Sequence, residues 1–123
     1  MYDKSQLIRG TLEGCILKIL SKNTSYGYEI VTTLLGYGFK DIKEGTIYPL
    51  LVRLEKKGII TSEMRPSPLG PSRKYYSITP DGVDYLNEFK TNWKQISQSV
   101  NQIFDTERSE EHTSELQSLP LIS

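Results

Sequence analysis

Beyond Gly58 the hydrophobic period of this chain changes, and that change limits the folds open to it. Before Gly58 apolar residues recur every three or four positions. Ile8, Leu12, Ile16, Ile19 and Leu20 make a stripe between about Lys4 and Lys22, Ile30, Val31, Leu34 and Leu35 make a second, and Ile47, Leu50, Leu51 and Leu54 make a third at i, i+3, i+4 and i+7. After it, "IITSEM" and "RKYYSI" are β-branched and aromatic runs divided by "RPSPLGPS", whose prolines and glycine suit neither helix nor central strand. The order is therefore three helices, then a hairpin with a long polar tip that Arg65 enters and Arg73 and Lys74 leave.

Local signals bound these elements. Thr24 or Ser25 can cap the second helix, glycines 36 and 38 end it, and Gly58 closes the third after the cationic turn Lys56–Lys57. In "ITPDG", Thr79 caps a fourth helix and Pro80 takes its first position, where a missing N–H is harmless. Pro49 lies inside the third stripe. With Thr46 as N-cap it would be the third helical residue; with a start nearer Glu44 it would fall in the second turn and remove one hydrogen bond. Either way it marks the N-terminal end, where Lys43, Gly45, Thr46 and Tyr48 surround free N–H groups suited to a phosphate.

The fourth helix has the most regular pattern. Leu86, Phe89, Trp93, Ile96, Val100 and Ile103 are spaced 3, 4, 3, 4 and 3, a seam for another helix. No other stretch offers a matching one, so the expected partner is the same helix of a second copy.

The net charge of zero averages two unlike parts: residues 1–104 carry +4 and residues 105–123 carry −4. The excess cations fall between residues 40 and 75, as a polyanion-binding face would have them. The segment "DTERSEEHTSELQSLPLIS" has little apolar periodicity and resembles translated sequencing-adapter sequence. It is read as a disordered or artefactual tail, and no role is assigned to its His112. Cys15 lies within the first helical stripe and is expected as a small buried hydrophobe. No apolar run is long enough to cross a membrane and no signal peptide is evident, so the expected location is the cytoplasm. No catalytic constellation, phosphate-cradling glycine loop or Cys/His metal cluster can be assembled, so no enzyme, no metal and no cofactor is expected.

"LEGCILKIL", "SYGYEI", "GTIYPLLVRLEKKGII" and "GPSRKYYSITPDG", followed by a helix with a tryptophan, resemble the PadR family of transcriptional regulators from about Leu7 to Phe104. The single closing helix is similar to the compact branch of that family. The resemblance implies a mostly α protein with a small β-hairpin: a winged helix-turn-helix over residues 1–78 and a dimerisation helix over 79–104, with 105–123 the tail. It also implies that the third helix enters the major groove and the wing touches the minor groove or backbone of a palindromic double-stranded operator. Tyr26, Lys43, Gly45, Thr46, Tyr48, Arg53, Arg73 and Lys74 would then meet DNA. Other uses stay open: Tyr48 packing on the wing, Arg53 pairing with Glu44 or Glu55, and Tyr75 or Tyr76 in the core. Leu86, Phe89, Trp93, Ile96, Val100 and Ile103 would form the homodimer interface. Tyr85, Phe89 and Trp93 would face a small planar aromatic effector, as a tryptophan does in related compact regulators. The expectation is a dimeric repressor relieved by such a molecule. The alternative is a winged-helix module that binds protein.

Overall fold

The structure, a computed structural model, describes residues 2–112, with side chains to residue 106. Its elements are α1 (Ser5–Lys22), β1 (Ser25–Tyr26), α2 (Gly27–Gly36), α3 (Glu44–Lys56), β2 (Ile60–Ser67), β3 (Gly70–Ile78) and α4 (Pro80–His112). This is the mostly helical winged helix with a small antiparallel sheet and a C-terminal helix that the sequence led us to expect. The chain divides into two units, residues 1–89 and 90–123. The first holds α1 to α3, the sheet and the start of α4. The second is the remainder of α4 and the residues after it.

The core of the first unit is built from the helical stripes. Leu12, Ile16 and Leu17 of α1, Ile30 and Leu34 of α2, and Ile47, Leu51 and Leu54 of α3 are buried together with Ile60 and Tyr76 of the sheet. Leu35, assigned to the buried face of α2, is exposed. Leu86 is only 6% exposed and packs in this core, so it does not open the seam of α4; the exposed part of that stripe starts further along the helix.

Both helix ends read from glycine are Schellman motifs. Gly58 has φ +77°, its N–H donates to Glu55 O, and the Ile59 N–H donates to Leu54 O. Gly38 has φ +107°, with Gly38 N–H on Leu35 O and Phe39 N–H on Leu34 O. In each case the residue after the glycine is turned back onto the helix as an apolar plug, Ile59 buried and Phe39 packed at the edge of the core.

Three local readings are corrected. Neither Thr24 nor Ser25 caps α2. Tyr26 does, and its N–H donates to the Glu29 carboxylate at 3.2 Å, while Ser25 is buried and the Thr24 hydroxyl bonds that of Ser77 at 2.8 Å. Ser25 and Tyr26 pair with Tyr76 and Tyr75, so the sheet has three strands in the order β1-β3-β2. The hairpin tip is not long: the strands run through most of "RPSPLGPS" and turn at Pro68–Leu69. Pro66 is accommodated where the register shifts between Arg65 and Ser67, and Pro71 lies beyond the reach of β1, on a stretch of β3 that needs fewer donors.

Thr79 caps α4 as expected, its hydroxyl accepting the Gly82 N–H at 3.0 Å and its carbonyl the Val83 N–H at 2.9 Å. The same residue ties α4 to the end of α3, because the Ile59 carbonyl accepts both the Thr79 N–H (3.0 Å) and its hydroxyl (2.9 Å). Gly82 sits so close that a Cβ there would overlap the Ile59 carbonyl and the Ile78 side chain. Gly14 of α1 likewise leaves room for the Phe89 ring. The helix α4 continues to His112, so residues 105–112 of the expected tail are helical; residues 113–123 lie outside the described residues.

Candidate nucleic-acid interface

The start of α3 decides how its side chains are presented. The helix begins at Glu44, so Thr46 is the third helical residue and not the cap. Its hydroxyl reaches back to accept the Lys43 N–H at 3.4 Å, leaving Lys43 at the N-cap. Pro49 therefore stands in the second turn, where its ring removes the bond to the Gly45 carbonyl. One face, Ile47, Leu50, Leu51 and Leu54, is buried, while Lys43, Gly45, Thr46, Tyr48 and Arg53 are exposed.

Between this helix, the start of α2 and the wing is a hollow lined by Tyr26, Gly27, Tyr28, Glu44, Tyr48, Met64, Ser72, Arg73 and Lys74. Four of the residues expected at DNA, Tyr26 of β1, Tyr48 of α3, and Arg73 and Lys74 of β3, are thus brought together from three separate elements. Tyr48 lies between α2 and the wing, with its hydroxyl beside Gly27 and Tyr76 of β3 as a neighbour. The wing arginines are laid on aromatic rings: Arg73 lies 4.4 Å from the Tyr26 centroid and Arg65 lies 4.8 Å from that of Tyr75. Tyr26 and Tyr75 meet edge to face at 5.3 Å, joining the two arginines into one ladder. Arg65 also pairs with Glu63 at 2.7 Å, and it stands directly opposite Arg73 across the hairpin. Lys74 is 3.8 Å from Glu55, whose other oxygen accepts the Ser62 hydroxyl at 2.7 Å. Tyr76 beneath is buried, and burial, then its neighbours Tyr48 and Glu55, push its phenol above the usual range.

Arg53, Gly45 and Thr46 face the other flank of α3, a cleft also bordered by Lys4, Arg9 and Lys40. Arg53 pairs with neither Glu44 nor Glu55. Its Nε and one terminal nitrogen lie 3.0 and 2.9 Å from a carboxylate oxygen of Glu13, on α1. That bond braces α3 against α1 and commits one edge of the guanidinium. Arg65, Tyr28, Lys4, Arg9 and Lys40 were not singled out as contacts. Arg65 had a legible signal, because it leads into the hairpin as Arg73 leads out, and Tyr28 lies within "SYGYEI"; Lys4, Arg9 and Lys40 lie near the start of α1 and in the loop before α3, with no motif.

On α4, Tyr85 is half-buried with the Lys57 ammonium 5.6 Å from its ring centre, and Phe89 is half-buried against Gly14. In the second unit Trp93 is 48% exposed, and Ile96, Val100 and Ile103 are exposed as well. Cys15 is partly buried, and burial raises its thiol pKa. Among the described residues there is no His, Cys, Asp and Glu cluster that could hold a metal, and no helix long and apolar enough to cross a membrane.

Residues 16–88 match the model of the transcriptional regulator PadR-like family. A PadR-like transcriptional regulator from Bacillus cereus has a similar structure, with 48% identity and a TM-score of 0.73 over 81% of this chain and 97% of that one. A Streptococcus transcriptional regulator is similar at 47% identity and a TM-score of 0.72, over 80% and 97% of the respective chains. The transcriptional regulator Rv3488 of Mycobacterium tuberculosis is 32% identical over 85 residues, 69% of this chain and 78% of its own. With the winged helix, the α3 surface and the matched span in agreement, the chain belongs to the PadR-like family of transcriptional regulators.

Proposed function

We propose that this protein is a cytoplasmic, dimeric repressor that binds a palindromic operator and is released from it by a small planar aromatic molecule. The observation that carries the DNA-binding part is the gathering of Tyr26, Tyr48, Arg73 and Lys74 around one hollow beside the exposed face of α3. In this reading α3 lies in the major groove, the N–H groups and Lys43 at its start hold a phosphate, and the wing ladder of Arg73 and Arg65 follows the adjacent backbone or minor groove. Thr46, Gly45 and Arg53 line the opposite flank, where Arg53 keeps its uncommitted edge for phosphate.

Self-association is supported by the second unit. Trp93, Ile96, Val100 and Ile103 are 48%, 53%, 44% and 72% exposed in the single chain, at seam spacing on one helix. Covering them with a second copy brings two α3 helices to one palindrome. Trp93 is the stacking residue for the effector, while Tyr85 and Phe89, on the same sequence register, are held within the first unit.

Selection of bound duplexes from a random pool tests the reading. A recovered palindrome whose affinity falls log-linearly with salt supports it, since phosphate contacts release counterions. Recovery of no DNA, or binding indifferent to salt, would overturn it in favour of a protein-binding module.

A further inference from the structure

The row of α3 turned most directly away from the core carries almost no side chain able to read a base by hydrogen bonds. With about 3.6 residues per turn, the buried Ile47, Leu50, Leu51 and Leu54 define one side of the helix. Opposite them fall Gly45, Pro49, Val52 and Lys56, all exposed. Of the polar side chains flanking this row, two are partly engaged and the third leans aside. Thr46 turns its hydroxyl back to the Lys43 N–H, Tyr48 turns its own towards Gly27, and Arg53 gives one edge to Glu13. Apart from Lys56 at its C-terminal end, the row therefore lacks the donors and acceptors by which Arg or Lys reads guanine, or Asn and Gln read adenine.

What it offers is apolar surface. Val52 is 48% exposed, the Pro49 ring is exposed beside it, and nothing lies within 4 Å of where a Cβ on Gly45 would stand, so the backbone itself can come close. The apolar group that the major groove displays is the 5-methyl of thymine. Lys43, Lys56 and Lys57 at the two ends of α3, with Arg73 and Lys74 beside it, surround the apolar spot with exposed cations. That setting suits an apolar group carried on a polyanion better than the apolar face of a protein. We propose that Pro49 and Val52 are the specificity-determining residues of α3 and read thymine methyl groups, so that each half-site carries thymine beneath them. The inference rests on the DNA-binding reading and names the chemistry of its target.

The test replaces thymine by deoxyuridine, one position at a time, in a duplex recovered by selection; this removes the methyl and leaves the pairing intact. At the thymine beneath Val52 the wild-type protein should lose about fourfold in affinity, the weight of one methyl group withdrawn from contact. Val52→Ala should bind the thymine duplex more weakly and show no further loss with deoxyuridine at that position. Val52 is exposed, so the variant keeps its core. A recovered half-site without thymine, or one indifferent to deoxyuridine at every position, overturns the methyl reading and leaves DNA binding standing. Failure to recover any duplex overturns both.

Discussion

Replacing Gly82 by alanine should destabilise this protein, although the same change in most helices does the reverse. Gly82 lies in the first turn of α4, and alanine there gains up to about 1 kcal/mol of helix propensity. The added Cβ, however, would overlap the Ile59 carbonyl and crowd the Ile78 side chain. A backbone atom cannot rotate aside, so α4 must shift relative to the end of α3. The Ile59 carbonyl holds the Thr79 N–H at 3.0 Å and the Thr79 hydroxyl at 2.9 Å, and both bonds stretch with it. Each is worth about 1 kcal/mol, and overpacking around Ile78 adds about 1–3 kcal/mol. Subtracting the propensity gain leaves a net loss of roughly 2–4 kcal/mol, and even its lower end is roughly 8–16 °C in melting temperature for a domain of this size. Gly10 of α1 is the internal control. Nothing lies within 4 Å of its absent Cβ, so Gly10→Ala should raise stability by about 0.5–1 kcal/mol. Thermal and urea unfolding at one fixed protein concentration measure both, since the proposed dimer would make the midpoint depend on concentration. If Gly82→Ala melts at or above the wild-type temperature, the close packing of α4 on Ile59 is wrong.

Other outcomes follow from the same geometry. Ile96→Asp with Val100→Asp places charge on the exposed stripe of α4 and should yield monomers by analytical ultracentrifugation, with the melting of the first unit retained. Arg73→Ala should lower the slope of log affinity against log salt by about one, because it removes one phosphate-neutralising charge; an unchanged slope would assign Arg73 to the wing alone. Planar dyes should quench the fluorescence of Trp93, the only tryptophan, operator DNA should suppress that quenching by reciprocal coupling, and Trp93→Ala should bind the same dyes more weakly. The Cys15 thiol, with its pKa raised by burial, holds less thiolate than a free cysteine at any pH below that value, so its alkylation at pH 8 should be slower than that of a thiol peptide.

The helical stripes, the glycine ends and the Thr79 cap were legible because each is a local pattern whose physics is complete within a few residues. The two-residue strand β1 was not, since Ser25–Tyr26 is too short to show alternation, and only its pairing with β3 reveals it. The wing tip was misjudged because prolines argue against strands in general, whereas Pro66 and Pro71 occupy a register shift and a free edge. Heptad spacing could not tell that Leu86 faces the core of its own chain, for the same period serves both kinds of burial. At the site, the charges and hydroxyls of α3 and the wing were readable from sequence. The Glu13–Arg53 brace was not, because nothing local links positions 40 apart.

Tyr26 serves at once as half of β1, as the cap of α2 and as the ring under Arg73. An alanine scan of this surface would therefore misreport it. Tyr26→Ala disturbs an edge strand, a helix start and a guanidinium together, and its score would rank it first while revealing nothing about which bond a nucleic acid makes. Tyr26→Phe separates the questions, because it keeps the ring and the backbone and deletes only the hydroxyl. Covariation should follow the same logic: in relatives, a change at the position of Tyr26 ought to travel with changes at those of Tyr75 and Arg73, since Tyr26 touches both side chains.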